Sequence, residues 1–378
     1  MPIYIVEPGD TIDRIAGLYG TTVDEISYIN QIPPPYRLAI GQAILVPVET
    51  QIPDRRFVTA GGYAYPFISP WVLRETLPYL TNLLVFSYGF TWEGNLIPPT
   101  INEDWMLQEA FDMDCAPILV LTPLGEDGRF NNSLIHEMLT EENVKETLIQ
   151  ELLETVEVKG YQGVDVDFEY ILAEDRDLFT AFVRELRRRM NDAGYTVSVA
   201  LAPKTSADQK GLLYEGKDYR GLGEAADEVL LMAYEWGFTY GPAMAVAPLN
   251  KVRQVVEYAL TEIVPEKINL GIPNYGYDWI NPFVKGESKA VTIGNVEAVQ
   301  IAIDNDARIQ FDETAQSPFF LYNKGGREHE VWFEDVRSMR AKFGLVEEYG
   351  LKGIGVWQIM RLFRAMWLEY AHQYVIYM

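Results

Sequence analysis

Cysteine is nearly absent from this chain: Cys115 is the only one among 378 residues. A single thiol forms no intramolecular disulfide, so a cross-linked framework is excluded and the redox compartment stays open. Standing just before an apolar run, Cys115 is expected to be buried. Histidine is scarce as well. His136, His329 and His372 are scattered without metal-ligand spacing, so no metal is implied. Positive charge is the third shortage, with 31 Lys and Arg against 55 Asp and Glu and a net charge of −24. Nucleic acid and anionic membrane surfaces would both repel such a chain. Long apolar runs are missing too. Met1 to Val6 leads straight into Glu7-Pro8-Gly9-Asp10, with no basic region and no small-residue cleavage site, so no conventional secretory signal is expected. Ile359 to Met378 is interrupted by Arg361, Arg364, Glu369 and His372, which fits a closing amphipathic helix better than a bilayer span. Finally, Gly221-Leu222-Gly223-Glu224-Ala225-Ala226 precedes a strand, whereas a dinucleotide site would follow one. No cofactor is implied.

What the chain does have is an unusual run of acids. In Tyr161-Gln162-Gly163-Val164-Asp165-Val166-Asp167-Phe168-Glu169-Tyr170, three carboxylates alternate with apolar residues. In extended backbone, Asp165, Asp167 and Glu169 share one face, while Val164, Val166 and Phe168 share the other. Carboxylates stacked this closely cannot all ionise, so at least one pKa rises and a proton donor is held near neutral pH. A solvated strand face would mix in Thr, Ser or Lys, and a calcium loop would carry its glycine inside the run. Acid chemistry is the reading the spacing favours. The run resembles the D-G-x-D-x-D-x-E signature of glycoside hydrolase family 18, with Gly163, Asp165, Asp167 and Glu169 on its glycine and three acids. Gln162, Phe168 and Ile171 depart from the signature around those acids.

The first fifty residues form a unit of their own. Tyr4-Ile5-Val6 predicts a strand, Gly9-Asp10-Thr11 a turn, and Thr11 a cap for a helix carrying Ile12, Ile15, Ala16 and Tyr19 on one face. A second helix follows with Val23, Ile26 and Ile29 inward and ends at Asn30; Leu38 to Pro47 returns as a strand. This strand-helix-helix-strand order, with Tyr4, Val6, Gly9, Asp10, Thr11, Asn30, Ile40, Gly41, Gln42, Val46 and Pro47 at the matching places, resembles a LysM domain. The resemblance implies binding of N-acetylglucosamine-containing glycans by the loops Gly9 to Ile12 and Asn30 to Pro35. Gly9, Asp10, Thr11 and Asn30 are its expected contacts; a module that merely caps the larger domain is the alternative.

From Phe57 onward, β-rich apolar runs alternate with helical segments: Phe57 to Tyr63, Leu83 to Tyr88, Ile118 to Thr122, Gly163 to Glu169, Thr196 to Leu201, Glu228 to Tyr234, Ile268 to Ile272 and Gly353 to Trp357. Eight such units predict an α/β fold, a (β/α)8 TIM barrel whose chemistry gathers at the C-terminal strand ends. Aromatic and polar residues cluster at those ends, in Tyr88 and Trp92, in Met232 to Trp236, in Asn274-Tyr275-Gly276-Tyr277 and in Trp357-Gln358, which suits the flat faces and polar edges of sugars. The expected organisation is a LysM-like domain at 1–48, a linker at 49–56 and the barrel at 57–378. A small α+β insertion at about 280–350 is expected between the seventh and eighth strands, with antiparallel strands over Ile309 to Tyr322 and Glu328 to Phe333 and a helix over Glu334 to Tyr349.

The family resemblance carries further expectations. Hydrolysis of a β-linked N-acetylglucosaminide would proceed with retention, the substrate's own acetamide acting as nucleophile. Glu169 would be the acid, Asp167 would stabilise the oxazolinium ion, Asp165 would share a proton with Asp167, and Tyr234 would hold the acetamide carbonyl. Trp357, Glu235, Met232, Tyr88, Asn274 and Tyr275 would complete the sugar site. Non-proline cis peptides are expected at Ser87-Tyr88 and Trp357-Gln358. The insertion's runs Phe311-Asp312-Glu313 and Glu330 to Asp335 look most like LysM-bearing spore enzymes that digest peptidoglycan, so peptidoglycan is the expected partner, with chitin or another N-acetylglucosamine glycan as the alternative substrate. A non-catalytic glycan-binding or spore-coat role is the reading from a different class. Spore association or a cytoplasmic place would suit the missing signal, and oligomeric state is left open.

Overall fold

The computed structural model describes residues 1–48, 50 and 54–377. Half of the expected linker, Glu49 and Gln51 to Pro53, lies outside the described residues.

In the N-terminal module, strand Ile3–Ile5 pairs antiparallel with Ala43–Leu45, and helices Ile12–Tyr19 and Val23–Asn30 cover one side. Each helix begins where a side chain satisfies its free amides. Thr11 accepts from the Arg14 N–H, and Thr22 with Glu25 forms a reciprocal capping box. Val6, Ile12, Ile15, Ile26, Ile44 and Val46 form a small core of the module's own. The return strand is shorter than Leu38 to Pro47, because Gly41 turns the chain at φ 84° and pairing resumes only at Ala43.

The barrel closes as eight parallel strands: Phe57–Ala64, Asn82–Phe90, Ala116–Leu121, Gly163–Val166, Thr196–Leu201, Glu228–Leu231, Ile268–Pro273 and Gly353–Trp357. The first pairs with both the second and the eighth, which completes the ring. Alternation along the fourth strand works as its sequence requires. Val164, Val166 and Phe168 are buried outward beneath helix Arg176–Asp192, where Phe168 lies 5.8 Å from Phe179 and 6.1 Å from Phe182. Burying each such side chain contributes about 1.5–3 kcal/mol, enough to set which face of the strand turns outward. Asp165 is thereby forced inward. Strand pairing stops at Val166, so Asp167 and Glu169 project from the extended segment just beyond it, at the C-terminal mouth.

The insertion starts earlier than expected, directly after the seventh strand. Gly276–Ile280, Val291–Ile293, Gln310–Asp312, Ser317–Lys324 and Arg327–Trp332 form a five-stranded antiparallel sheet carrying helix Asn295–Asp304. The single strand expected over Ile309 to Tyr322 is broken by a turn. Asp312 accepts from the Thr314 and Ala315 amides at 2.9 and 2.7 Å, and Gln316 takes φ 50°. Helix Val336–Glu348 follows, capped by Asp335. The closing helix, Arg364–Gln373, is buried on more faces than an amphipathic segment would be, with Arg364, Trp367, Glu369 and Tyr370 all inside. Among the described residues no helix is long and apolar enough to cross a membrane.

The module is docked on this end of the barrel domain. Arg364 lies 3.8 Å over the Tyr28 ring and donates to the Tyr28 carbonyl at 2.7 Å, while Arg37 donates to the Ile303 carbonyl at 2.9 Å. The Ile309 amide donates to the Ile40 carbonyl at 2.9 Å, and a Cβ on Gly41 would stand 1.9 Å from the Ile309 oxygen. Glycine is required there twice over, by its φ and by the contact. Gly41→Ala is expected to cost about 1–3 kcal/mol of stability and to speed hydrogen exchange at the Ile309 amide; unchanged exchange would mean that the seam is not tight.

Candidate active site

The column of acids sits in three different environments. Asp165 is fully buried inside the barrel, accepting from the Tyr63 hydroxyl at 2.9 Å and the Ser198 hydroxyl at 2.5 Å. Burial pushes its pKa up to about 6 against the pull of those two bonds. Asp167 is buried one step higher, and its Oδ1 has no hydrogen-bond partner among the described residues. Burial, and then the charges of Glu169 and Asp165, raise its pKa well above the ordinary 3.8. Glu169, half-buried, reaches the open cleft; burial raises its pKa too, while the Lys217 ammonium pulls it back. Both oxygens of Asp165 are occupied by hydroxyls, while Asp167 is among the residues lining the cleft above.

Above the acids lies a cleft of about 690 Å³. Trp357 forms its floor, held edge-on by Phe86 at 4.9 Å, Tyr63 at 5.7 Å and Tyr65 at 6.2 Å. Tyr234, Met232 and Glu235 line the side nearest Glu169, and the exposed rings of Phe67 and Phe130 extend the apolar wall outward. Glu235 takes φ 67°, a left-handed conformation uncommon outside glycine, and accepts from Tyr275 and from Tyr277 at 3.0 and 3.2 Å. Burial raises its pKa, and the two phenols lower it. A half-buried acid, a second carboxylate beneath it and an aromatic floor beside both suit acid-assisted cleavage of a bond to a sugar ring.

Three expected contacts lie elsewhere. Tyr88 is fully buried on the helix side of the second strand, where its hydroxyl donates to Glu103 and its ring packs on Tyr161. The pairing register shifts between Val85 and Tyr88, and the cis peptide is Phe86-Ser87, one residue before the expected Ser87-Tyr88; Phe86 therefore takes the cleft position. Trp357-Gln358 is cis as expected. Asn274 is buried behind the cleft, donating to the Gln358 and Arg361 carbonyls at 3.1 and 2.9 Å and accepting from Asn295 at 3.2 Å, so it ties the insertion to the end of the eighth strand. Tyr275 supports Glu235 instead of facing a sugar. In the module, Asp10 accepts from the Tyr4 hydroxyl at 2.7 Å and the Glu7 amide at 2.8 Å, Gly9 turns at φ 86°, and Thr11 is spent as a helix cap. Asn30 exchanges bonds with both backbone groups of Leu45 at 2.8 Å, which joins the second helix to the return strand.

Sequence reasoning missed Tyr63, Ser198 and Lys217. Ser198 was accessible in principle, since it stands directly beside Asp165 in the register of the fourth and fifth strands. Tyr63 is the next-to-last residue of the first strand, with the same inward parity. Lys217 belongs to an irregular segment with no periodicity to betray it. Among the described residues no cluster of three or more His, Cys, Asp and Glu side chains is placed to hold a metal ion.

Comparison with known proteins agrees with this geometry. Residues 124–361 match the model of glycosyl hydrolases family 18, and residues 4–47 match the LysM domain. The chain is 37% identical to the cortical fragment-lytic enzyme of Bacillus subtilis (strain 168), over 99% of this chain and 98% of the relative. It is similar in structure to the Bacillus cereus spore cortex-lytic enzyme SleL, with a TM-score of 0.82 and 34% identity, covering 99% of this chain and 87% of the other. A chitinase from Chromobacterium violaceum, at 22% identity and a TM-score of 0.77 over 84% of this chain and 98% of the other, shares the fold.

Burying the acids has a thermodynamic signature. A carboxyl whose folded pKa is raised binds more protons in the native state than in the unfolded one, so its contribution weakens as pH climbs above the unfolded value near 3.8. Asp167→Asn removes that penalty. Its melting temperature is expected to exceed the wild type's by about 2 °C or more near pH 8 and to converge with it near pH 4. A constant difference across that range would show that the carboxyl is not destabilised in the fold.

Proposed function

The chain belongs to glycosyl hydrolases family 18, and from that premise we propose that it cleaves β-linked N-acetylglucosamine bonds in spore cortex peptidoglycan, with retention of configuration and with the substrate's acetamide as nucleophile. The observation that carries the chemistry is the placement of Glu169, raised by burial, at the mouth of the cleft with Asp167 one step beneath it. Glu169 protonates the departing glycosidic oxygen, and its carboxylate then takes a proton from the incoming water. As the acetamide oxygen bonds to the anomeric carbon, the acetamide nitrogen gains positive charge. Asp167, whose Oδ1 has no partner among the described residues, turns toward that N–H and stabilises it. Asp165, bonded to Tyr63 and Ser198, serves as the floor against which Asp167 moves. Tyr234 orients the acetamide carbonyl, Trp357 supports the sugar face, and Glu235, held by two phenols, contacts a hydroxyl or the acetamide.

The choice of cortex rests on similarity to relatives named as cortical fragment-lytic and spore cortex-lytic enzymes over nearly the whole chain. The LysM domain supplies a second contact with the same N-acetylglucosamine-containing glycan, and a spore-associated location follows from the substrate. Glu169→Gln is expected to lower turnover by about 10²- to 10⁴-fold. Muropeptide mass spectrometry of digested cortex should then show new N-acetylglucosamine reducing ends with wild type and none with the variant. Release from colloidal chitin alone would replace the cortex reading with a chitinase. Release from neither, with binding intact, would leave a glycan-binding protein.

A further inference from the structure

Behind the column of acids, on the side away from the cleft, stands a buried ammonium. Lys217 is 1% exposed, and its Nζ donates to one acceptor among the described residues, the Ala200 carbonyl at 2.8 Å. The ring of Phe179 lies 5.1 Å from it on another side. The contrast with Lys342 is instructive, because that equally buried lysine holds the Glu334 carboxylate at 2.8 Å. A lysine enclosed by a phenyl ring and one carbonyl bears a desolvation cost that no ion pair in contact offsets among the described residues.

The fold directs this group at the acids. Ala200 is on the fifth strand, whose register sets Ser198 beside Asp165 and Val199 beside Val166, so Ala200 comes level with Asp167. Ala200 also lines the catalytic cleft. The segment carrying Lys217 is pressed against the chain just after Glu169: a Cβ on Gly216 would stand 2.3 Å from the Ile171 oxygen. Lys204 donates to the Lys217 carbonyl at 3.0 Å, which anchors the backbone from below. Nearby charges are otherwise engaged. Asp218 pairs with Arg176 at 3.4 Å, Glu215 with Lys210 at 2.9 Å, and Glu228 with Lys352 at 3.3 Å. Asp165 on the fourth strand, and Asp167 and Glu169 just beyond it, are the titratable groups whose charges act on Lys217.

We propose that Lys217 is a positioning residue for the hydrolytic reaction, a fixed positive charge behind the barrel wall that keeps one carboxylate of the Asp167–Glu169 pair ionised while the other holds its proton. The proposal rests on the glycosidase reading. Lys217 touches no substrate; it acts through the carboxylates, which would otherwise both be driven to the neutral form by burial. Burial brings the lysine's own pKa down to about 8, with Asp167, Glu169 and Asp165 in turn raising it.

Two measurements test this. In Lys217→Met, a near-isosteric neutral replacement, both limbs of the pH profile of kcat/KM on a soluble N-acetylglucosamine oligosaccharide should move to higher pH by about one unit or more. Turnover should fall at neutral pH while KM stays close to the wild-type value. An unmoved profile in the folded variant would overturn the proposal. Independently of activity, the Lys217 ammonium can be titrated by NMR in lysine-labelled protein, in wild type and in Asp167→Asn. Removing the Asp167 charge should lower the lysine's pKa, and an unchanged value would overturn the proposal even if Lys217→Met did not fold. A wild type that turns over no N-acetylglucosamine glycan would instead sink the hydrolase reading, while the NMR titration would still report the coupling.

Discussion

Three carboxyl groups in a dry barrel interior are the constraint to which the surrounding structure answers. Each ionised carboxylate removed from water costs several kcal/mol unless donors or opposite charge meet it. The barrel meets the three unequally. Asp165 receives two hydroxyls, Asp167 has an oxygen without a partner among the described residues, and Glu169 keeps partial access to solvent. In the proposed reaction, that inequality sorts three carboxyl groups into different tasks: a held base plate, a movable charge and a proton donor. The Lys217 ammonium, on our proposal, adds a fixed bias to the same set.

The apolar exterior of the fourth strand makes this arrangement possible. With Val164, Val166 and Phe168 committed to the helix layer, inward placement of the acids follows from backbone alternation, and the packing of Phe168 on Phe179 and Phe182 secures it. The aromatic floor depends on similar support. Trp357 is braced by three rings, and Asn274 fastens the backbone after it to the insertion, so the wall and the floor of the cleft are one unit. Glu235 is held by Tyr275 and Tyr277, the latter from the insertion's first strand, which gives the insertion a direct part in shaping the site.

The small module is part of the same body. Its second loop, at Gln31 to Pro33, borders a cavity of about 400 Å³ facing helix Asn295–Asp304, and its last turn is locked on Ile309. One of the two loops that a LysM-like groove would use thus lies beside the barrel domain, while the Gly9 to Thr11 turn is part of the module's own framework.

Much was legible in the sequence because it depends on period and local chemistry. The eight strands, the Thr11 cap and the inward face of Asp165, Asp167 and Glu169 follow from alternation and capping, which neighbouring residues set. Residues whose direction depends on distant partners were not legible. Tyr88 points away from the cleft because the second strand shifts register, Asn274 is consumed by carbonyls more than eighty positions along the chain, and Asn30 by a strand fifteen residues away. Tertiary structure alone placed Tyr63 and Ser198 on Asp165 and brought Lys217 behind Asp167. The sequence by itself determined that three acids would share a face in a closed barrel, since a two-residue period is a property of the backbone. Which acid is partnered, which is bare and which lies near a cation was decided only when strands far apart in the chain closed into a ring, because hydrogen bonds and desolvation depend on distance in space.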